Sequence, residues 1–411
     1  MDKYRQLIYN VCILNEKEIN GLKKFIVFTL SLAMLFGAFA GCGTNDNGAS
    51  GNAFSVGYAK ADITPKDSVP LDGLGNADQR FSNGVILDEL FATCVACKDS
   101  EGNTVLMFGL DLLTTYGALF NNIREKISNE CNIPFENIMF FGSHTHSGPA
   151  TALTQFPSVA AYNELVTNNC VQAAKDAIAD LAPAKMQTAI TRPEGLNFVR
   201  HYVFDNGHIT GYRIYETEAI ASKVGHPHKA DNLMQLVKFV REGDDKKDVV
   251  LINWQAHYAG ANDIDENAVS SDYIGVMRAK IEEELNCLVS FYQGGEGNIS
   301  SGSRIVGEQA FSDYKDCGQK LADYAIEAAD TFTDAEVGKI QVMSEEFVPD
   351  GRGNTETLYA IAFGDFACVF APFEIYDTNA VNVRETSKYK FTFYAGLANT
   401  QYGNRYLPSE E

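Results

Sequence analysis

Apolar residues in this chain cluster in short runs bounded by turn residues, and those runs predict its strands. Phe54 to Ile63 is the first, broken by Thr64-Pro65, and a Gly/Asp-rich loop follows from Asp72 to Gly84. Leu90–Lys98 and Thr104–Leu110 read as a hairpin turning at Asp99-Ser100-Glu101-Gly102, with Asp111 closing its second arm. Further strands are predicted at Ile138–Phe141, Met186–Thr191, Leu233–Val240, Val249–Trp254, Leu288–Tyr292, Lys339–Phe347, Leu358–Phe363 and Ala367–Ala371. Helical patterns separate them over Phe120–Glu130, Ser158–Leu181 and Asp313–Phe332. Another begins at the N-cap signal Ser271-Asp272, with Ile274, Met277, Ile281 and Leu285 on one face. Strands and helices alternate without an internal repeat, heptads or a Gly-rich phosphate loop. The expected class is therefore α/β, with mixed β-sheets flanked by helices.

Composition narrows the function. The chain has 411 residues, 45% of them hydrophobic, which supports a sizeable core, and its formal net charge is -21. So acidic a surface repels phosphate backbones, and nucleic acid is excluded as a partner. At the N-terminus, Lys23-Lys24 precede an apolar run from Phe25 to Ala40 that ends in Phe39-Ala40-Gly41-Cys42. That run is short for a membrane span and suits a signal peptide. Residues 1–41 are thus expected to be a lipoprotein-type signal, with Cys42 lipidated and residues 42–53 a flexible tether. The expected location is that of an exported bacterial lipoprotein, membrane-anchored at the cell surface. Beyond Cys12 and Cys42, Cys94-Val95-Ala96-Cys97 has redox or zinc spacing, but no second pair accompanies it. Its place inside an apolar run reads as buried strand.

The candidate chemistry lies at strand ends. His144 and His146, in Gly142-Ser143-His144-Thr145-His146-Ser147-Gly148-Pro149, follow one apolar run, and on extended chain they project to the same side. His257 follows a second run and Glu374, in Pro372-Phe373-Glu374, a third. Zinc accepts imidazole nitrogen and carboxylate oxygen, and catalytic sites scatter about three such ligands over several elements. Spacing alone leaves two readings open, a metal centre or ordinary capping groups. Gly294, Gly295 and Gly297 would let backbone approach a metal or aim N–H groups at an oxyanion.

Six motifs, in order from residue 54 to the end, resemble the neutral/alkaline non-lysosomal ceramidase family. They are Ala61-Asp62-Ile63-Thr64-Pro65; Ser143 to Pro149; Asn253-Trp254-Gln255-Ala256-His257 with Ser270 to Gly275; Gly297-Asn298-Ile299-Ser300; Pro372-Phe373-Glu374; and Leu397-Ala398-Asn399 to Tyr406-Leu407-Pro408. The resemblance implies one zinc ion per chain, held by His144, His257, Glu374 and Tyr406, with Tyr406 preferred over Tyr402. It implies His146 and Arg200 at the substrate and Ser300 at the nucleophile position. Residues 54–411 would form a single ceramidase-like catalytic domain without the C-terminal immunoglobulin-like domain, C-terminally truncated in that comparison. The implied activity is hydrolysis of the amide bond of an N-acyl lipid, or a related amide or ester, by zinc-activated water, Ser300 or both. Ser301-Gly302 stand where the family has Pro-Asn. Two rival readings remain: a dinuclear phosphoester hydrolase using Asp111 and Asp272 as extra carboxylates, and a noncatalytic ligand-binding surface lipoprotein.

Overall fold

A computed structural model describes residues 53–205, 207, 209–210, 224–348, 355–401 and 405–409. The signal, Cys42, the tether up to Asn52, and Tyr402 lie outside the described residues. No helix among the described residues is long and apolar enough to cross a membrane.

The architecture has three layers: helices, a large mixed sheet, and a smaller mixed sheet. The large sheet contains β1 (Ser55–Asp62), β2 (Phe91–Lys98), β3 (Thr104–Leu110), β4 (Ile138–Gly142), β5 (Ala182–Thr191), β6 (Met234–Arg241), β7 (Val249–Trp254) and β8 (Leu288–Gln293). Their spatial order is β8-β7-β6-β5-β1-β2-β3-β4, with β9 (Thr333–Ala335) added on β5. The two outer pairs, β7 with β8 and β3 with β4, are parallel, and the pairs between them are antiparallel. A parallel pair needs a crossover element. Helices α1 (Gly117–Cys131) and α3 (Asp272–Glu284) supply the two crossovers. Helix α2 (Pro157–Ala179) packs beside α1, and α4 (Tyr314–Glu327) against α3. The smaller sheet, β10 (Gln341–Phe347), β11 (Glu356–Phe363), β12 (Phe366–Phe370) and β13 (Phe391–Ala395), is followed in that spatial order.

Each layer is held by apolar faces that alternate along the strands. Between the sheets, Val95, Met107, Phe141, Val237 and Tyr292 meet Ile361, Phe363, Cys368 and Phe393. On the opposite face of β1–β4, Cys94, Phe108 and Phe140 pack on Phe120, Ile127, Tyr162 and Val166 of α1 and α2. Cys94 and Cys97 thus point into different cores. Both are free, buried thiols pushed upward by burial, as inert strand residues should be. Strands β7 and β8 are buried along nearly their whole length because helices cover one face and the smaller sheet the other.

One ion pair is sealed inside. Arg278 of α3 donates to both carboxylate oxygens of Asp111, at 3.1 and 2.5 Å, just past the end of β3. The Asp111 carboxylate also accepts the Phe91 N–H at 2.8 Å. Removing the cation alone leaves a buried charge, which costs about 3–5 kcal/mol. Arg278→Met is expected to lower the unfolding free energy by that amount in denaturant titration. The double variant Arg278→Met/Asp111→Leu should recover most of it, and equal losses in both variants would contradict this account.

Candidate metal centre and active-site cleft

The carboxyl ends of β4 and β7 meet where β12 hands over to Glu374. After β4 the chain does not stay extended. His144 has φ +67°, because Ser143 and His144 turn back to donate to the carbonyls of Leu110 and Leu112. This corrects the expectation of two imidazoles side by side on one strand face. The rings instead meet nearly at right angles, 82° apart, with their Nε2 atoms 3.3 Å from each other. His257 is seated by its own N–H on the Ile299 carbonyl. Glu374 pairs in parallel register with Tyr406, so the last described segment is tied beside it.

Donor and acceptor roles decide what this cluster wants. His144 presents Nδ1 to the Leu113 carbonyl at 3.0 Å, and His257 presents Nδ1 to the carbonyls of Glu296 and Ile299 at 2.9 and 3.0 Å. A carbonyl only accepts, so each Nδ1 carries the proton and each Nε2 turns a lone pair inward. Those two Nε2 atoms lie 3.5 and 3.1 Å from Glu374 Oε2, itself a buried acceptor with no hydrogen-bond donor. Buried acceptors crowded together are costly unless a cation lies among them. Zinc–nitrogen bonds of about 2.0–2.1 Å in a tetrahedron place donor atoms about 3.3 Å apart, which is the spacing found. The residues present therefore fit a zinc-type ion. The carbonyls behind His144 and His257 supply the outer hydrogen bonds that orient ligating imidazoles.

His146 shares in this cluster, since its ring nitrogen, His144's and His257's all lie within 4.8 Å of one another. Unlike His144 and Glu374, it lines the open cleft, alongside His257, Arg200, Ser300 and Tyr406. Burial lowers His146, and burial with the Arg200 charge holds His257 down to about 4, so both are neutral at pH 7. Burial works to raise the Glu374 carboxyl, but the neighbouring histidines, charged once protonated in acid, and the Tyr406 hydroxyl outweigh it and hold it at about 2. Tyr406 reaches His257 Nε2 at 3.5 Å, and its hydroxyl is raised by burial and the Glu374 charge. Arg200 lies 3.1 Å from the same nitrogen, donates to the Gly297 carbonyl at 2.7 Å, and sits over the Tyr406 ring. Ser300 Oγ accepts the Gly302 N–H at 3.2 Å, whereas Ser301 is turned away onto the Tyr258 carbonyl. The cleft holds about 620 Å³.

Other sequence expectations change here. The N–H groups of Gly294 and Gly297 do not await an oxyanion; they donate to the carbonyls of Trp254 and Ile375. Gly297 is glycine because a Cβ there would come within 2.6 Å of the Glu374 carbonyl. Asp111 is committed to Arg278. Asp272 accepts the N–H groups of Ala259, Ala261 and Tyr273 at 2.6, 2.9 and 2.8 Å. It starts α3 in place of Ser271, whose side chain makes no cap bond. Neither carboxylate therefore supplies a second metal position. Three supports escaped the sequence reading. Tyr258 stacks on His146 with centroids 4.0 Å apart. Gly73, at φ +108°, lies so close that a Cβ would come within 2.5 Å of the His146 ring. The Arg80 guanidinium donates to the His146 carbonyl. The unassigned glycines of the Asp72–Gly84 loop were the available signal. A fourth, Glu296, is wholly buried and raised well above the usual carboxylate range by burial and the Glu374 charge.

Fold and site together define a mixed α/β protein with a buried histidine–carboxylate centre opening into one cleft. Residues 54–324 match the family described as neutral/alkaline non-lysosomal ceramidase, N-terminal, and the chain belongs to that family. Its fold is similar to the crystal structure of neutral ceramidase from Pseudomonas aeruginosa, with TM-score 0.68 and 15% identity over 86% of this chain and 68% of that one. A ceramidase complexed with C2 is similar to the same degree, TM-score 0.68 and 15% identity, over 87% of this chain and 70% of that one. No curated protein matches it in sequence.

Zinc binding to the folded centre should stabilise the chain by mass action. At zinc about 100-fold above its dissociation constant, the unfolding free energy is expected to rise by about 2.7 kcal/mol. Thermal unfolding with zinc and with chelator measures this. A Glu374→Gln variant should lose the increment, and an increment that survives the substitution would contradict the assignment.

Proposed function

We propose that this chain is a zinc-dependent hydrolase that cleaves the amide bond of an N-acyl substrate of the ceramide type. The observation that carries the reading is Glu374 Oε2, buried against two inward-facing imidazole lone pairs at the floor of an open cleft. Membership of the ceramidase family supports the bond class. His144, His257 and Glu374 would hold the ion, with the Tyr406 phenol as fourth donor. When bound, zinc lowers the pKa of a coordinated water to about 7 and polarises an amide carbonyl.

The chain's own residues supply the rest. Arg200 puts a fixed positive charge at the cleft floor, where negative charge grows on the carbonyl oxygen. His146, neutral and open to the cleft, takes a proton from the attacking hydroxyl group and returns it to the departing nitrogen. Tyr258 and Gly73 hold that ring on both sides. Ser300 lines the same cleft and would approach the carbonyl carbon from its wall. The dinuclear phosphoester reading has lost its extra carboxylates. Loss of one of these groups would favour the noncatalytic reading; the proximity of His144, His257, Glu374 and Tyr406 supports the catalytic one.

His146→Ala is expected to reduce kcat/KM on N-acyl sphingosines by about 10²–10⁴-fold, the usual worth of a positioned acid–base group. Metal analysis should show its zinc retained. Full turnover by this variant, or by the metal-stripped wild type, would contradict the proposal. Attachment to a membrane through Cys42 forms part of the same proposal. In a bacterial expression host, labelled fatty acid should enter the wild-type chain and not Cys42→Ala; equal labelling of both would rule that attachment out.

A further inference from the structure

Ser270, Ser271 and Asp272, at the start of α3, touch both loops that carry histidines into the centre. On one side the Ser270 N–H donates to the Ser147 carbonyl at 3.1 Å. The Ser270 carbonyl accepts the Thr145 hydroxyl at 2.6 Å, and that hydroxyl in turn accepts the Ser147 N–H at 3.2 Å. The backbone is thereby fixed immediately before and after His146. On the other side the Asp272 carboxylate accepts the N–H groups of Ala259 and Ala261, just past Tyr258, whose ring is the one stacked on His146. Resting on the acid–base reading of His146 above, we propose that Asp272 is a positioning residue, which holds Tyr258 and through it keeps the His146 imidazole aimed at the reacting bond.

Asp272 is not placed as an ordinary helix cap. Its φ is +55°, a left-handed conformation that costs any residue but glycine and that aspartate and asparagine tolerate best. Of its three N–H partners, only Tyr273 belongs to the helix; Ala259 and Ala261 belong to the loop after His257. The segment is also anchored from behind. The Asp272 N–H donates to the Ser270 hydroxyl at 2.9 Å, and that hydroxyl and the Tyr314 hydroxyl of α4 both donate to Asp88. His144 takes its orientation from the carbonyls of Leu112 and Leu113, and His257 from those of Glu296 and Ile299, all outside residues 270–272. Loosening Asp272 therefore moves the ring that handles the proton and spares the residues that would hold the ion.

The test is a double-variant cycle on the full zinc-loaded chain with an N-acyl sphingosine as substrate. Asp272→Asn suits it because asparagine keeps the left-handed backbone and one acceptor oxygen, while its amide nitrogen cannot accept the other N–H. The substitution is expected to lower kcat by up to about 10²-fold, the loss that a misplacement of about 1 Å can cause, with KM and zinc content unchanged. Thr145→Val removes the hydroxyl that ties the other side of His146 to Ser270, and it should show the same split between kcat and KM. It serves as the second arm if Asp272→Asn does not fold. In a His146→Ala background neither substitution should lower kcat further, because both act through a ring already removed. An unchanged kcat in the single variants, losses that multiply in the double variants, or a loss of turnover explained by lost zinc or raised KM would each overturn the inference while leaving the amide-hydrolase reading intact. Full turnover by His146→Ala alone would overturn the acid–base reading and this inference with it.

Discussion

The structure depends on an arrangement that is unfavourable by itself: Glu374 Oε2 buried against the inward lone pairs of His144 and His257. Nothing in the local backbone preference of these residues would bring them there. Each imidazole is aimed by a carbonyl that holds its other nitrogen, and those carbonyls belong to Leu113 and to the neighbouring Glu296 and Ile299, from two parts of the chain. The layered core carries the cost. Sheet packing between Phe141, Tyr292 and Phe370 brings the ends of β4, β8 and β12 together and so brings the candidate ligands together. Without an ion, this fold holds three acceptors in contact; with one, the same geometry becomes a preformed site.

The three-layer arrangement also explains a division between the two neighbouring histidines. Because the chain turns into the left-handed region at His144, that side chain goes down into the core beside Glu374. Two residues on, His146 comes up between Gly73 and Tyr258 at the cleft floor. A continuing strand would have placed both rings at one depth, and a single role would have had to serve for both. The turn leaves His144 beside Glu374 and His146 facing the cleft.

Much of this was legible in the sequence. The apolar runs located the principal strands and helices, since strands buried on both faces such as β7 and β8 leave continuous hydrophobic stretches. His144, His257, Glu374 and Tyr406 were read from their places after those runs and from ordered motifs, and the structure brings all four together. What was not legible depended on contacts distant in sequence. Asp272 reads as a cap signal, yet it ties down the loop after His257 through two N–H groups of that loop. Gly294 and Gly297 read as oxyanion glycines, but their N–H groups close backbone contacts next to Glu374. Gly73 and Arg80 gave no periodic signal, because a loop's purpose is visible only once the ring it grips is in place.

The proposed centre takes one ion through nitrogen and oxygen atoms of His144, His257, Glu374 and Tyr406. X-ray absorption at the zinc edge of the reconstituted protein tests this most directly. One zinc per chain is expected, in a four-coordinate shell of nitrogen and oxygen at about 2.0–2.2 Å, changed in Glu374→Gln. A sulfur shell near 2.3 Å, or an absorption spectrum unaltered by that substitution, would contradict it.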